Sequence, residues 1–254
     1  MQTRLEAPAE EPLFVATGGE GVRLEDVRRS YRGRRGELCA LAGLTLQVAP
    51  GEVVAVVGPS GCGKSTLLEL VCGLQAPDAG ICVADPAVLM PQRDLLLPWL
   101  GALDNAALAL RLSGGSRREA RRGASELFER AGLRDFERAH PHELSGGMRQ
   151  RVAFVRTLLA AKPVLALDEP FGSLDTLTRE RMQSWLAEML LAEPRTVLLV
   201  THDVEEALVL ADRVALLSPR PGRVIFELAV DLPRPRIRTD PLLVALRARA
   251  LEAL

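Results

Sequence analysis

The chain of 254 residues is 48% apolar and 26% charged, and its 32 basic residues stand against 33 acidic ones for a net charge of −1. That length buries a core as one large domain, or as a main domain with a small appendage, and those proportions exclude wholesale disorder. The even balance gives no support to a general polyanion-binding surface, so no nucleic acid partner is expected.

The opening MQTRLEAPAEEPLFVATGGEG carries acidic residues where a secretion signal carries basic ones, and its longest apolar run, LFVA, is far too short for one. It reads as a mobile tail over 1–21. The four cysteines, Cys39, Cys62, Cys72 and Cys82, form no CxxC pair and meet no matching histidine cluster, so they read as reduced thiols rather than zinc ligands. EVVAVVG (52–58) is a short, continuous apolar run of the kind that lies in a sheet buried on both faces. From about 100 to 160 the rhythm changes: LDNAALALRL, SRREARRGASELFERAGL and the stretch after 146 are all helical in pattern with no strand between them. Strand patterns return at VLALD (164–168), TVLLVTHD (196–203) and RVALLS (213–218). Between the first two, RERMQSWLAEMLL sets Met182, Trp185, Leu186, Met189 and Leu190 at helical spacing. The end of the chain is proline- and arginine-rich at DLPRPRIRTDP and then amphipathic at PLLVALRARALEAL. The pattern predicts an α/β fold with a mostly parallel central sheet and an inserted helical subdomain. No stretch approaches 18 uncharged apolar residues, so a membrane role has to come through a partner.

Chemistry concentrates in two places. GPSGCGKST (58–66) follows a predicted strand, opens a predicted helix and fits G-x-x-x-x-G-K-[ST]. Gly58, Pro59, Ser60, Gly61, Cys62, Gly63, Lys64, Ser65 and Thr66 form the candidate cradle, in which backbone N–H groups and a helix N-terminus converge on phosphate oxygens. Lys64 is placed for the β- and γ-phosphates and Ser65 for Mg²⁺. VLALDEP (164–170) ends a buried strand in two carboxylates, Asp168 to reach the Mg²⁺ shell and Glu169 to take a proton from an attacking water.

ELSGGMRQR (143–151) puts a serine and a glycine pair at the mouth of a helix that carries no nucleophile. With this stretch included, the chain resembles the nucleotide-binding subunit of an ATP-binding cassette (ABC) transporter over roughly residues 22–230. LSGGMRQR is the distinguishing element, since GKST and LDEP also occur in other P-loop ATPases. The resemblance implies a P-loop NTPase fold with a small antiparallel β-subdomain, a helical subdomain over about 93–160 and a separate segment at 231–254. It implies that Ser145, Gly146 and Gly147 contact ATP held by an opposite subunit and that Asp175 of GSLD lies in the loop crossing the dimer interface. Tyr31, the one tyrosine, is where the family places a ring stacked on adenine. Gln92 matches a glutamine that senses Mg²⁺ and the attacking water, and His202 matches a switch histidine at the γ-phosphate. Two departures stand out: ICVADPAVLMP (81–91) is short for the usual hairpin segment, so the β-subdomain is expected to be shortened, and Met148 stands where many relatives carry Gln.

RDLLLPWLGALDNAALAL and DLPRPR resemble the branch of bacterial importers serving nitrate, taurine, alkanesulfonates and pyrimidine precursors of thiamine. The implied partners are a second nucleotide-binding subunit, most simply an identical one, transmembrane permease subunits facing the region of Leu95, Leu96, Leu97, Pro98 and Trp99, and indirectly a solute-binding protein. The implied location is peripheral, on the cytoplasmic face of the cell membrane. The alternative is a soluble ABC ATPase of DNA repair or translation, whose relatives have long coiled coils or two cassettes where this chain has one compact cassette.

Overall fold

The structure, a computed structural model, describes residues 19–33 and 36–254, so the expected mobile tail over 1–21 lies outside the described residues except for its last three. Of those three, Glu20 and Gly21 donate their backbone N–H groups to the Asp85 carboxylate.

Strands β1 (Val22–Gly33) and β2 (Gly36–Val48) pair antiparallel, and the chain then enters β3 (Val53–Val57), whose five residues are all buried. Helix α1 (Lys64–Val71) follows, then β4 (Ala79–Ala84) and β5 (Ala87–Met90). Here the short segment foreseen in the sequence takes a particular form. It supplies one strand to each of two sheets instead of a hairpin to one: β4 pairs with β1 in a three-stranded antiparallel sheet, and β5 joins the large sheet beside β6 (Val164–Asp168). Three helices lie between β5 and β6: α2 (Ala102–Leu112), α3 (Arg117–Arg130), opened by a reciprocal Ser116–Glu119 cap, and α4 (Gly146–Leu158). Helix α5 (Thr176–Ala192), β7 (Thr196–Thr201), α6 (Val204–Leu210), β8 (Arg213–Leu217), β9 (Val224–Ala229) and α7 (Pro241–Glu252) complete the described chain.

The large sheet runs β5-β6-β7-β3-β8-β9, parallel except for β9. Its central strands are continuous apolar runs because both faces are covered. Alternation along β3 shows the division: Val53, Ala55 and Val57 pack into the core shared with α4, α5 and α6, while Val54 and Val56 pack with α1 and the antiparallel sheet. Across the first of these cores, Phe154 of α4 sits edge-on to Trp185 of α5 and tilted against Phe171, with ring centroids 5.6 Å apart in both pairs. Those contacts tie the glycine-mouthed helix to the layer behind β6. In an open α/β sheet, loops at the carboxyl ends of the strands are where ligands bind, and β3, β6, β7 and β8 all point theirs the same way.

Candidate active site

The loop between β3 and α1 is shaped by its glycines at two points. Gly63 has φ of +107°, and a Cβ there would stand 2.7 Å from Leu41 Cδ2 and 2.8 Å from the Ala40 carbonyl, so a side chain is excluded by both conformation and space. Gly61, at φ +78°, turns the loop just before it. Lys64 is buried, and its ammonium folds back to donate to the carbonyls of Gly58 at 2.7 Å and Pro59 at 3.0 Å. A buried cation needs such charge-assisted bonds to offset lost hydration. The loop's own carbonyls thereby hold the charge at its mouth. Cys62 turns the other way, with its thiol in the core beneath the loop and burial raising its pKa, so its side chain does not line the cleft.

Two carboxylates face this loop from the end of β6. Ser65 Oγ donates to Asp168 Oδ2 at 2.7 Å, joining α1 to β6. Burial holds the Asp168 carboxyl above the usual range, the Ser65 bond opposes that rise, and the neighbouring Glu169 charge adds to it. Glu169 takes the left-handed region at φ +46°, which for a residue with a side chain costs on the order of 1 kcal/mol or more. Its N–H donates to the Val200 carbonyl of β7 at 2.9 Å, which holds that conformation. Its two oxygens are both engaged: Oε2 accepts from Gln92 Nε2 at 3.0 Å, and Oε1 lies 3.1 Å from His202 Nδ1. Tyr31 closes the far side, its hydroxyl 3.1 Å from Thr66 Oγ1 and 3.0 Å from Gln75 Oε1, with the Arg29 guanidinium 5.1 Å from its ring centre. Together Tyr31, Ser60, Gly61, Gly63, Lys64, Ser65, Thr66, Gln92, Asp168 and Glu169 line one cleft of about 340 Å³.

A second group stands apart. Ser145 caps α4, its Oγ accepting from the Met148 N–H at 3.2 Å, and Gly146 and Gly147 form the first helical positions. A Cβ on Gly147 would lie 3.2 Å from the Leu174 side chain, so this helix mouth abuts the loop that ends in Asp175. Asp175 caps α5 by accepting from the Thr178 N–H at 3.0 Å, a bond that holds its carboxyl below the usual range. None of Ser145, Gly146, Gly147 and Asp175 lines the cleft. A family profile described as ABC transporter matches residues 41–172, more than half of the chain. This chain belongs to the ABC transporter family.

Its relatives within the family are close along nearly the whole length. It is 42% identical over 251 residues to an aliphatic sulfonates import ATP-binding protein of Burkholderia cenocepacia, a match covering 95% of this chain and 91% of that one. It is 46% identical over 202 residues to a formylaminopyrimidine import ATP-binding protein of Halalkalibacterium halodurans, covering 78% and 81%. Among solved structures it is similar to a dimeric ATP-binding cassette in a post-hydrolysis state bound to ADP and Pi, with a TM-score of 0.77 and 30% identity over 84% of this chain and 100% of that one.

Three residues lining this ABC cleft were not foreseen, Leu38 and Ala40 of β2 and the charged Arg220. Arg220 lines it from the loop after β8, with Nη2 3.6 Å from where a Cβ on Gly61 would stand. The loop is fixed: Gly222 N donates to Ala40 O at 2.8 Å, Ala42 N to Gly222 O at 3.2 Å, and Ser218 Oγ to Pro221 O at 2.9 Å. Arg220 itself makes no ion pair among the described residues. The signal available in the sequence is SPRPG directly after a predicted strand, a rigid turn at the same sheet edge as the phosphate loop.

Behind Glu169 and His202 lies a small cavity of about 40 Å³, also bounded by Arg179, Asp203 and Glu206. Glu206 is buried, and burial pushes its carboxyl up to about 6, with hydrogen bonds from Thr201 and Gln183 partly opposing the rise. A carboxyl raised in the folded state contributes stability that is fully present below its unfolded value near 4.5 and is lost as pH rises through about 6. That loss amounts to about 2 kcal/mol. Glu206→Gln has no such titration, so urea unfolding should show its stability relative to the parent improving by about 2 kcal/mol from below pH 4.5 to pH 7. A parent–variant difference independent of pH would contradict this reading of Glu206.

Proposed function

We propose that the chain is the ATP-hydrolysing subunit of an importer for a small solute, working as a pair of chains docked on separate membrane permease subunits. The observation that carries this reading is the division of the site: one cleft holds the phosphate loop with its cation and carboxylates, and a second anion-binding helix mouth stands apart from it. A helix terminus stabilises an anion by about 0.3–1 kcal/mol when exposed and up to about 2 when partly buried, too little to capture ATP alone. Two chains related head to tail place each Ser145–Gly147 mouth against nucleotide held in the other's cleft. The named activity of the relatives, import, supports the transport role.

In this reading Lys64 leaves the carbonyls of Gly58 and Pro59 for the β- and γ-phosphates, and Tyr31 stacks on adenine. The donor set suits Mg²⁺: the Ser65 hydroxyl and Asp168 carboxylate oxygens are 2.7 Å apart, with the Gln92 amide nearby. Bound there, Mg²⁺ supplies charge to neutralise the phosphate oxygens. Glu169 accepts the proton of the attacking water, while Gln92 and His202 fix the direction of its two oxygens. Asp175 crosses to the partner chain.

Gln92 also begins the surface proposed to face the permease. Leu95 and Trp99 beyond it are 60% and 70% exposed, unusual for large apolar side chains. Arg149 of α4 donates to Asp94 at 3.0 Å and Arg156 to the carbonyls of Asp94 and Leu95, so this surface moves with α4. No helix among the described residues is long and apolar enough to cross a membrane. In the proposed assembly the chain sits peripherally, on the cytoplasmic side of the permease. A solute-binding protein delivers the cargo to that permease.

Glu169→Gln tests the reading: ATP binding should persist while turnover falls by about 10²-fold or more, and size-exclusion chromatography with ATP should show an accumulated dimer. Turnover at the parental rate would remove Glu169 as the base. Arg220→Ala should weaken ADP binding about tenfold and leave adenosine binding unchanged, as expected for a cation that meets phosphate. Equal loss of both ligands would make Arg220 a structural residue.

A further inference from the structure

The segment between β9 and α7 takes no part in the cleft, yet it carries a run of arginines directed at one short helix. Arg236 has a side chain only 2% exposed, and its guanidinium donates to the carbonyls of Leu208 at 2.8 Å, Val230 at 3.0 Å and Ala211. Leu208 lies in the last turn of α6 and Ala211 caps its C-terminal end, where carbonyls have no partner within the helix. Arg234 adds a bond to the Leu210 carbonyl at 3.2 Å and pairs with Asp212 at 2.8 and 3.1 Å. Arg238 reaches the other end of α6, donating to the Glu205 carboxylate and to Gln183 Oε1. Gln183 in turn donates to the buried Glu206 carboxylate at 3.0 Å.

Helix α6 needs this help. It has seven residues, well short of the length at which an isolated helix persists. It also begins directly after His202 and Asp203, with Asp203 accepting from the Glu205 and Glu206 N–H groups and donating its own N–H to Thr201 Oγ1. The residues on both sides of His202 are therefore tied to α6, whereas the imidazole is 63% exposed and, among the described residues, its one ion-pair contact is Glu169 at 3.1 Å. Its position is set by the end of β7 on one side and by where α6 sits on the other.

We propose that residues 231–240 form a strap that clamps α6 and thereby holds His202 against Glu169, with Arg236 and Arg238 as positioning residues for hydrolysis. The inference rests on the functional reading above in one respect, that His202 acts in turnover. The strap binds no nucleotide and touches no reacting atom. Its effect is geometric: loosening α6 lets the imidazole leave the carboxylate it orients.

The test is histidine NMR on the full chain labelled with ¹³C-histidine and free of nucleotide, combined with steady-state kinetics. The chain has three histidines, and His202→Gln assigns the signal of interest. In Arg238→Ala the His202 resonance should move toward that of an unstructured histidine while those of His140 and His142 stay in place. The kcat should fall about tenfold or more with KM for ATP changed less than about twofold, and Arg238→Lys should recover most of it. Arg238→Gln, which keeps a shorter polar side chain without the charge, carries the same expectation if the alanine variant does not fold. A His202 resonance in these variants that coincides with the parent's overturns the strap. If the resonance moves but His202→Gln hydrolyses ATP at the parental rate, the strap stands and the role given to His202 in turnover falls.

Discussion

Asp168 and Glu169 stand side by side at the end of a strand in which every residue is buried, and two carboxylates in that setting repel each other. Much of the cleft answers that repulsion. Ser65 donates to the first carboxylate and Gln92 to the second, the His202 ring stands 3.1 Å from the second, and the Lys64 ammonium lies in the same cleft under the hold of its own loop. The backbone is bent to the same end, since Glu169 occupies a left-handed conformation held by its N–H bond to Val200 of β7 and by the Gly172 N–H bond to its carbonyl. Ser65, Gln92 and His202 arrive from three different parts of the chain, so this arrangement around the two carboxylates exists only while the sheet is assembled. Substrate phosphates and a divalent cation complete the same electrostatic arrangement in the proposed function.

The second feature that organises the molecule is the separation of the Ser145–Gly147 helix mouth from the cleft, which it does not line. Helix α4 connects them to the rest: its mouth lies beside Leu174, its arginines hold the loop of Asp94 and Leu95, and its Phe154 packs on α5. A shift of that helix against the sheet therefore moves the surface proposed for the permease together with the mouth proposed for the partner's nucleotide. In the proposed cycle ATP favours the closed pair because it touches both chains only when they meet, and loss of the γ-phosphate removes that preference.

The sequence made the central strands legible because burial on both faces leaves an unbroken apolar run, as in VVAVV and VLALD. The phosphate loop and the DE pair were equally plain, since each is a local pattern beside its own strand. What escaped notice depends on distant contacts. Arg220 belongs to the cleft because β8 lies beside β3 and Gly222 pairs with β2, a meeting of segments about 160 to 180 residues apart that no local period records. The split of residues 79–90 between two sheets was hidden for the same reason, since Ile81 and Val88 look alike in sequence and differ only in what they pair with. β1 is obscured by its four arginines and an irregular register, and the arginines at 234–238 read as composition until α6 is seen beneath them.

The central claim is that one nucleotide site is built from two chains, and complementation tests it most directly. Lys64→Ala removes the loop's cation, and Gly147→Asp places a charge at the helix mouth. Each variant alone should be inactive. In a mixed dimer one site combines both defects and the other combines an intact loop with an intact mouth, so mixing equal amounts should restore ATPase activity to about a quarter of the parental rate at most. Activity that stays at the level of the separate variants, in samples shown to exchange subunits, would mean that each chain works with its own helix mouth and would contradict the account.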